Sequence, residues 1–272
     1  MTLIVAICLK EKRTGNESVV IFSDSQATAG PVSYSVHKIE EIFSEKGPPL
    51  AIAAGSGDMA MIKKAVDVSN SVLLTKAKEE WGGGTPSFEQ FFEAVQDVEN
   101  LLIDIFSEYE AREVEINLQF LLASVSPDGY ASLYLFDERG VSQPIHDNPK
   151  FACIGSGFFL GGNLLLQQFY SPDLTLDEAT FLGSYVINEV SIVDPSVGPF
   201  EGESCYFRLV DGDTAVGAIT KRGLQSVKSE YRFRKKLLRY VWKQSNSFGS
   251  RELYSILRQT IKRQKKVKKN QN

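Results

Sequence analysis

The sequence has 272 residues, a formal net charge of −4 and a hydrophobic content of 43%, which suffices for one sizeable core and does not demand a second domain. No stretch approaches the roughly 18 unbroken apolar residues of a membrane span, and the N-terminus lacks the basic region and cleavage site of a signal peptide, so we expect a cytoplasmic protein. Cys8, Cys153 and Cys205 each lie in an apolar run without a CxxC pair, and with only two histidines in the chain they indicate buried thiols, not a disulfide framework or a zinc site.

The first fifth of the chain is predicted to form strands. Residues 3–9 are mostly apolar and residues 18–23 are rich in β-branched side chains, so together they predict a hairpin with a loose polar loop. Residues 27–33 are small and polar, with a turn at Gly30-Pro31. Two further strands are predicted at residues 36–43 and 50–54, and the second ends in Gly55-Ser56-Gly57.

Helix pairs and strands alternate along the rest of the chain up to residue 220. Capping boxes at Ser87 with Gln90 and at Thr175 with Glu178 mark two helix starts. The predicted elements, in chain order, are a helix containing Met61 to Val72, a second helix after Ser87, strands 117–125 and 130–136, strand 151–154, helices 158–170 and 176–193, and strands 204–210 and 214–220. This order fits antiparallel sheets packed together with helix layers outside.

The charge is divided unevenly between residues 1–220 and residues 221–272. The last 52 residues hold 17 of the 30 Lys and Arg residues and two of the 34 acidic residues, so their formal charge is +15 and that of the preceding part is −19. Helical spacing is present at residues 230–242 and 253–262, and a disordered end is expected. We interpret this basic extension as a segment that docks on an acidic neighbouring subunit; contact with nucleic acid or an anionic membrane is the alternative.

Thr2 is the first candidate for chemistry. A threonine hydroxyl is a weak nucleophile until a base accepts its proton, and a terminal α-amine with a pKa of about 8 suits that task. Removal of Met1 gives both groups to the same residue. Because many proteins begin with Met-Thr without consequence, this pattern alone is not specific.

Five short motifs follow Thr2 in an order that is itself informative. Residues 22–30, Phe-Ser-Asp-Ser-Gln-Ala-Thr-Ala-Gly, resemble the Asp-Ser-Arg-Ala-Thr-Ala-Gly signature of proteasome β-type subunits. Residues 36–39 resemble the next strand with its lysine, and residues 50–57 resemble the apolar strand ending in Ala-Gly. Residues 152–157 and 172–179 resemble the later Gly-Ser-Gly element and the helix start after it.

The resemblance spans residues 2 to about 220 and is to proteasome-like subunits of the N-terminal nucleophile (Ntn) hydrolases. It implies an α+β fold, a four-layer αββα sandwich of two antiparallel sheets between helix pairs, here with a basic C-terminal helical extension over residues 221–272. It also implies that Thr2 is the nucleophile, that Lys38 lies beside it and that Asp24 balances the charge of Lys38. An ammonium group near the terminal amine would keep that amine neutral and basic. Gly55 matches the position whose backbone N–H forms the oxyanion hole.

Two further positions complete the implied catalytic set, and two positions depart from the family pattern. Ser156 matches a serine that hydrogen-bonds the terminal amine, and Asp194 matches its supporting aspartate. Gln26 replaces the arginine of the Asp-Ser-Arg signature, as it does in bacterial two-component relatives. Val197 stands where the family has a serine, so the sequence leaves open whether the neighbouring Ser196 compensates.

The implied substrate pocket is apolar. Ala27, Val36, Ala53 and Gly57 resemble pocket-lining positions, which predicts a roomy site, and Glu40 is a candidate charge at its floor. The expected function is a threonine-type endopeptidase, free of metal and cofactors, that cleaves peptides or unfolded proteins in a homo-oligomer. An Ntn amidase, an acyl or peptidyl transferase and a non-catalytic structural ring subunit are the alternatives, and the need for an ATPase partner is left open.

Overall fold

The strands of the protein were defined in a computed structural model that describes residues 2–24, 26–29, 32–35, 37–45 and 47–245, with only the backbone described at residues 27–29, 32–35, 244 and 245. The strands, in chain order, are β1 (Ile4–Lys10), β2 (Glu17–Ser23), β3 (Gln26–Ala29), β4 (Val32–Ser35), β5 (Ile39–Phe43), β6 (Pro49–Gly57), β7 (Leu118–Val125), β8 (Ala131–Phe136), β9 (Ser142–Pro144), β10 (Phe151–Ile154), β11 (Ser204–Val210) and β12 (Asp213–Gly217).

The helices are grouped in pairs along the chain, as the sequence predicts. They are α1 (Met59–Glu79), α2 (Phe88–Glu110), α3 (Gly162–Phe169), α4 (Leu176–Val193) and α5 (Lys221–Ser245), with one short 3₁₀ turn at Ser156–Phe158. Both predicted capping boxes are present, at Ser87 for α2 and at Thr175 for α4. Each cap satisfies backbone N–H groups that a helix leaves without internal partners, so these two helix starts are fixed locally.

Two antiparallel five-stranded sheets form the centre of the fold. The first has the strand order β10-β1-β2-β11-β12 and the second has the order β5-β6-β7-β8-β9, while β3 and β4 pair as a separate hairpin. Within the first sheet, Ile4 lies opposite Ser23 of β2 and Ile154 of β10. This register places the residue before β1 next to the residue after β2.

Three buried clusters show that the layers follow the order helix, sheet, sheet, helix. Val125 and Phe207 belong to a cluster between the two sheets. Phe91 belongs to a cluster between the second sheet and helices α1 and α2, and Val186 belongs to one between the first sheet and helices α3 and α4. The predicted α+β sandwich of two antiparallel sheets is therefore confirmed.

The structure corrects several predicted boundaries. The predicted helix 158–170 is interrupted, because Gly161 has a φ of 112° and only α3 is helical after it. The predicted strand 36–43 is shorter, since β5 begins at Ile39. Strands β3, β4 and β9 were not predicted, because three or four residues are too few to separate a strand pattern from a turn.

All three cysteines are buried and have free thiols, as predicted. Burial raises the pKa of Cys8 and of Cys153 to about 12, so these thiols stay protonated near neutral pH and behave as small apolar side chains. Among the helices of the described residues, none combines the length and the apolar character that crossing a bilayer requires.

The chain divides into two units, Met1–Leu224 and Gln225–Asn272. In the second unit the described part is the continuation of α5 to Ser245. The predicted helix 253–262 and the predicted disordered end lie outside the described residues.

The contact between α4 and β2 leaves no space at Gly183. A Cβ atom added there would lie 2.2 Å from Cδ2 of the fully buried Phe22, whose ring also packs edge-on against Phe200. We therefore expect Gly183→Ala to lower the free energy of unfolding by about 1–3 kcal/mol in urea titrations, despite the better helix propensity of alanine. Gly84→Ala is the matched control, because the nearest atom to its added Cβ is Trp81 O at 3.5 Å, and a change no larger than that of the control would contradict this packing.

Candidate active site

The carboxylate of Asp24, directly after β2, is the centre of a buried hydrogen-bond network. Oδ1 accepts hydrogen bonds from Thr2 Oγ1 at 2.5 Å, from the backbone N–H of Leu3 at 2.8 Å and from Lys38 Nζ at 2.7 Å. Oδ2 accepts from the backbone N–H groups of Gln26 at 3.3 Å and Gly198 at 3.0 Å. Asp24 is 0% exposed, so these five donors replace the water that a buried carboxylate loses.

Thr2 reaches this carboxylate because of the β1–β2 register. The antiparallel pairing continues one step past the strands, where the N–H of Asp24 donates to Leu3 O at 3.1 Å. Thr2 is 5% exposed, and its hydroxyl accepts a hydrogen bond from Lys38 Nζ while it donates to Asp24. The three side chains therefore form a closed set of hydrogen bonds around one hydroxyl.

Lys38 enters the network from the other sheet. It lies one residue before β5, and its ammonium group also donates to the carbonyl oxygen of Gln26. Burial lowers the pKa of Lys38, and the nearby charges of Asp24 and Glu203 only partly offset this, so the pKa lies below the ordinary lysine value of 10.5. A lysine with a lowered pKa exchanges its proton more readily than an exposed lysine.

A second network lies on the main-chain side of Thr2. Ser156 Oγ is 3.0 Å from Asp194 Oδ2 and 3.5 Å from the carbonyl oxygen of Thr2. Ser196 donates to Asp194 Oδ1 from its backbone N–H at 2.9 Å and from its hydroxyl, and its Oγ is 3.3 Å from Ser156 Oγ. Asp194 caps the C-terminus of α4, so the helix and the loop after it carry this network to Thr2.

Val197 and the neighbouring Ser196 have different surroundings. Val197 is 3% exposed and packs in the core between the first sheet and α4, away from the polar network. Ser196 supplies the hydroxyl instead. Burial raises the pKa of Asp194, but the hydrogen bonds from Ser196 and Ser156 outweigh it, so the pKa of this carboxyl lies below its ordinary value.

Gly55 lies within β6, and its lack of a side chain has a packing reason. A Cβ atom there would lie 2.7 Å from Cγ2 of Ile62 on α1. The end of β6 is close to Thr2, because a Cβ atom added at Gly155 would meet both Thr2 O at 2.1 Å and Ser56 Oγ at 2.9 Å. The oxyanion role of Gly55 stays a prediction.

The predicted pocket positions do not form one group in the described structure, unlike Thr2, Asp24 and Lys38. Ala53 is 0% exposed and belongs to the core under α1 and α2, so it lines no exposed surface of the protomer. Gly57 is exposed with a φ of 121°, and Glu40 is exposed on β5. Ala27 lies in β3, where only the backbone is described, and Val36 lies outside the described residues. The pocket therefore stays a prediction.

Three participants were not predicted from the sequence. Gly198 donates its N–H to Asp24, and Glu203 accepts the N–H groups of Lys38 and Ile39. Gly155 allows the close approach of Thr2 and Ser56 with a φ of 95°. The glycines belong to short motifs that could have been examined for backbone contacts, whereas nothing in the sequence distinguishes Glu203 from other acidic residues.

The buried ion pair of Asp24 and Lys38 predicts a specific pattern of stability changes. Asp24→Asn leaves the Lys38 ammonium buried without its counter-ion, so we expect a loss of about 3 kcal/mol in urea unfolding at pH 7. Lys38→Met removes the cation while four donors to Asp24 remain, so we expect a smaller loss in the free energy of unfolding. In the double mutant, we expect a favourable coupling energy between Asp24 and Lys38. Asp67→Asn, in the exposed pair with Lys63, is the control. Additive losses in the double mutant would contradict the pairing.

Comparison with known proteins identifies the fold. No protein-family model matches the sequence, and no curated protein matches it. Among solved structures, Anbu from Hyphomicrobium sp. strain MC1 matches with a TM-score of 0.64 and 16% identity over 91% of this chain and 100% of that one. A Gly-1 mutant of the same protein matches with a TM-score of 0.66 and 16% identity over 92% of this chain and 100% of that one. Likeness at this identity shows the fold alone: the chain has the α+β fold of the proteasome-like protein Anbu.

Proposed function

We propose that this protein is a threonine hydrolase that acts in the cytoplasm and cleaves amide bonds of peptides through an acyl-enzyme on Thr2. The observation that carries the proposal is the closed set of hydrogen bonds among Thr2 Oγ1, Lys38 Nζ and Asp24 Oδ1. A hydroxyl that contacts both a buried lysine and a buried carboxylate has a proton acceptor within reach. The shared fold with a proteasome-like protein supports the same class of chemistry by analogy.

Met1 removal is part of the proposal, because the nitrogen of Thr2 is a peptide nitrogen, without basicity, while Met1 is attached. Once freed, the α-amine is a base with an ordinary pKa of about 8. Asp194, 4% exposed and bonded through Ser156 toward the Thr2 carbonyl, is placed to balance the positive form of that amine. Ser156 and Ser196 then hold the carboxylate in place.

In the acylation step, Thr2 Oγ attacks the substrate carbonyl carbon and its proton passes to neutral Lys38 Nζ, the nitrogen in contact with it. The lowered pKa of Lys38 makes the neutral form accessible, and Asp24 then stabilises the ammonium ion that results. The N–H of Gly55 is the proposed donor to the oxyanion, a contribution of about 3 kcal/mol where such donors are well aligned.

The tetrahedral intermediate collapses when the amide C–N bond breaks and the leaving nitrogen takes the proton from Lys38, which becomes neutral again. An ester between the acyl group and Thr2 Oγ remains. Water then attacks the ester carbonyl and gives a proton to Lys38; the bond between the acyl carbon and Thr2 Oγ breaks, and Lys38 returns the proton to Thr2 Oγ. If an amine attacks instead, the acyl group is transferred, so hydrolase and transferase share every step up to the ester.

Substitutions at the three central residues test this assignment. We expect Thr2→Ala to abolish turnover of a peptide substrate panel, Thr2→Ser to retain part of it, and Lys38→Arg to lower kcat at least ~100-fold, because the guanidinium does not give up its proton at working pH. Thr14→Ala is the matched control, since among the described residues that exposed hydroxyl donates to Glu11 and accepts the backbone N–H of Asn16.

The same panel, run with and without amine acceptors, separates hydrolysis from transfer. Free acid as the only product supports the peptidase, and an acyl-amine product supports the transferase. Equal, measurable turnover in Thr2→Ala and wild-type protein would contradict Thr2 as the nucleophile of either reaction. No turnover by the wild-type protein would instead favour a non-catalytic structural subunit.

We further propose that the protein assembles into a homo-oligomer in which the basic α5 of one subunit docks on the acidic residues 1–220 of a neighbour. Exposed Lys228, Arg232, Lys236 and Arg239 recur every three or four residues and so share one face of α5. The opposite formal charges of residues 1–220 and 221–272, −19 and +15, provide the complementarity.

Charge reversal on α5 tests this docking. We expect substitution of all four residues by Glu to shift the full chain toward smaller species in analytical ultracentrifugation at low salt. Wild-type protein should shift in the same direction at high salt, because charges are then screened beyond about 3–8 Å. The control carries the same reversals at exposed Lys10, Lys12, Lys63 and Lys78. Unchanged sedimentation of the α5 variant would contradict the proposal, and salt-dependent retention of DNA by wild-type protein would favour nucleic acid as the partner.

A further inference from the structure

Lys38 needs support for its backbone as well as for its side chain. It lies just outside β5, which begins at Ile39, so the pairing of β5 with β6 does not extend to the residue that carries the ammonium group. Its side chain must nevertheless cross to the first sheet and meet Thr2 and Asp24. A small rotation of this backbone would move Nζ away from the hydroxyl, and distance at a reacting group has a large effect on rate.

Glu203 provides that support. Its Oε1 accepts the backbone N–H of Lys38 in a short hydrogen bond and that of Ile39 at 3.2 Å. The side chain of Glu203 is only 11% exposed, and His37 Nδ1, on an almost fully exposed ring, is 3.9 Å from the same oxygen. One carboxylate oxygen thus fixes two consecutive N–H groups at the start of β5.

The backbone of Glu203 is tied to the opposite side of the site. Its carbonyl oxygen accepts the N–H of Ser23 at 3.1 Å, and Ser204 next to it pairs with Phe22. Ser23 immediately precedes Asp24. Glu203 therefore connects the end of β2, which carries Asp24, to the start of β5, which carries Lys38, and so joins the two sheets at the site.

The charge of Glu203 acts on Lys38 as well. Burial raises the pKa of Glu203, and the N–H groups of Lys38 and Ile39 together with the charges of His37 and Lys38 partly offset that rise. In its ionised form Glu203 raises the pKa of Lys38, as Asp24 does. Among the described residues, the charges of Asp24 and Glu203 act on Lys38, and the charge of His37 acts on Glu203.

We propose that Glu203 is a positioning residue that holds Lys38 against the Thr2 hydroxyl and brings a second carboxylate to the side of Lys38. The proposal rests on the function proposed above for Thr2. Among the described residues, the carboxylate of Glu203 accepts hydrogen bonds from the backbone N–H groups of Lys38 and Ile39, so Glu203 acts on the Thr2 hydroxyl through Lys38.

Two substitutions separate position from charge. Glu203→Gln keeps an oxygen acceptor for the two N–H groups and removes the negative charge. Glu203→Ala removes both. We expect Glu203→Gln to keep kcat within about threefold of wild type at its own optimum, but to shift the rising limb of the pH–rate profile down by roughly 0.5–1 pH unit, because Lys38 loses its proton more easily. Glu203→Ala should lower kcat tenfold or more.

A second measurement does not depend on turnover. The full chain is labelled with ¹³C at the lysine ε carbons, and the Lys38 resonance is assigned by its absence in Lys38→Arg. Its titration midpoint should fall in Glu203→Gln by the same amount as the pH–rate limb, and His37→Ala should move it far less, since that ring is exposed. The glutamine variant retains the acceptor, so the test holds even if the alanine variant does not fold.

The two proposals fail in different ways. An unchanged Lys38 midpoint in Glu203→Gln together with full activity of Glu203→Ala would overturn the role of Glu203. The Lys38 midpoint could instead fall in Glu203→Gln as expected while Thr2→Ala leaves turnover unchanged. That result would support the effect of Glu203 on Lys38 and contradict the proposed function of Thr2.

Discussion

The buried carboxylate of Asp24 is the interaction on which the rest of the site depends. A carboxylate that is 0% exposed is costly unless its lone pairs are filled, and here five donors fill them. The donors come from the residues before β1, the lysine before β5, the segment after β2 and the loop after α4. Two sheets and one helix therefore converge on a single charge, so the position of Thr2 and Lys38 is set by the fold and not by local flexibility.

The distribution of charge around Thr2 follows from this convergence. Asp24 and Glu203 lie on the side of Lys38, and Asp194 lies on the side of the Thr2 main chain. The ammonium group of Lys38 balances only part of the negative charge of these three buried or half-buried carboxyl groups. The α-amine freed by loss of Met1 would supply a second positive charge. Lys38 is at once deprived of water, which favours its neutral form, and surrounded by acids, which favour its charged form. A group balanced between the two forms can accept and return a proton within one turnover.

Much of the fold could be predicted from the sequence because its signals are local. Capping residues, hydrophobic spacing and turn residues fix α2, α4 and the β7–β8 hairpin within a few neighbours. Strands β3, β4 and β9 pair with strands close in sequence, but at three or four residues they are too short for their pattern to stand out from a turn. The interruption at Gly161 rests on the dihedral angle of one glycine, which the helical spacing around it does not reveal. In the site, Thr2, Asp24 and Lys38 lie in ordered motifs, whereas the contact of Glu203 spans 165 residues and uses backbone donors, which no pattern of side chains reveals.

The claim that Thr2 is a nucleophile is tested most directly by the mass of the protein before and after reaction with a β-lactone or epoxyketone probe. We predict that the purified chain lacks the mass of Met1, gains the mass of one probe, and carries that mass on the N-terminal peptide beginning at Thr2. Thr2→Ala should gain nothing. A chain that retains Met1 and remains unlabelled, or a label attached elsewhere and unaffected by Thr2→Ala, would contradict it.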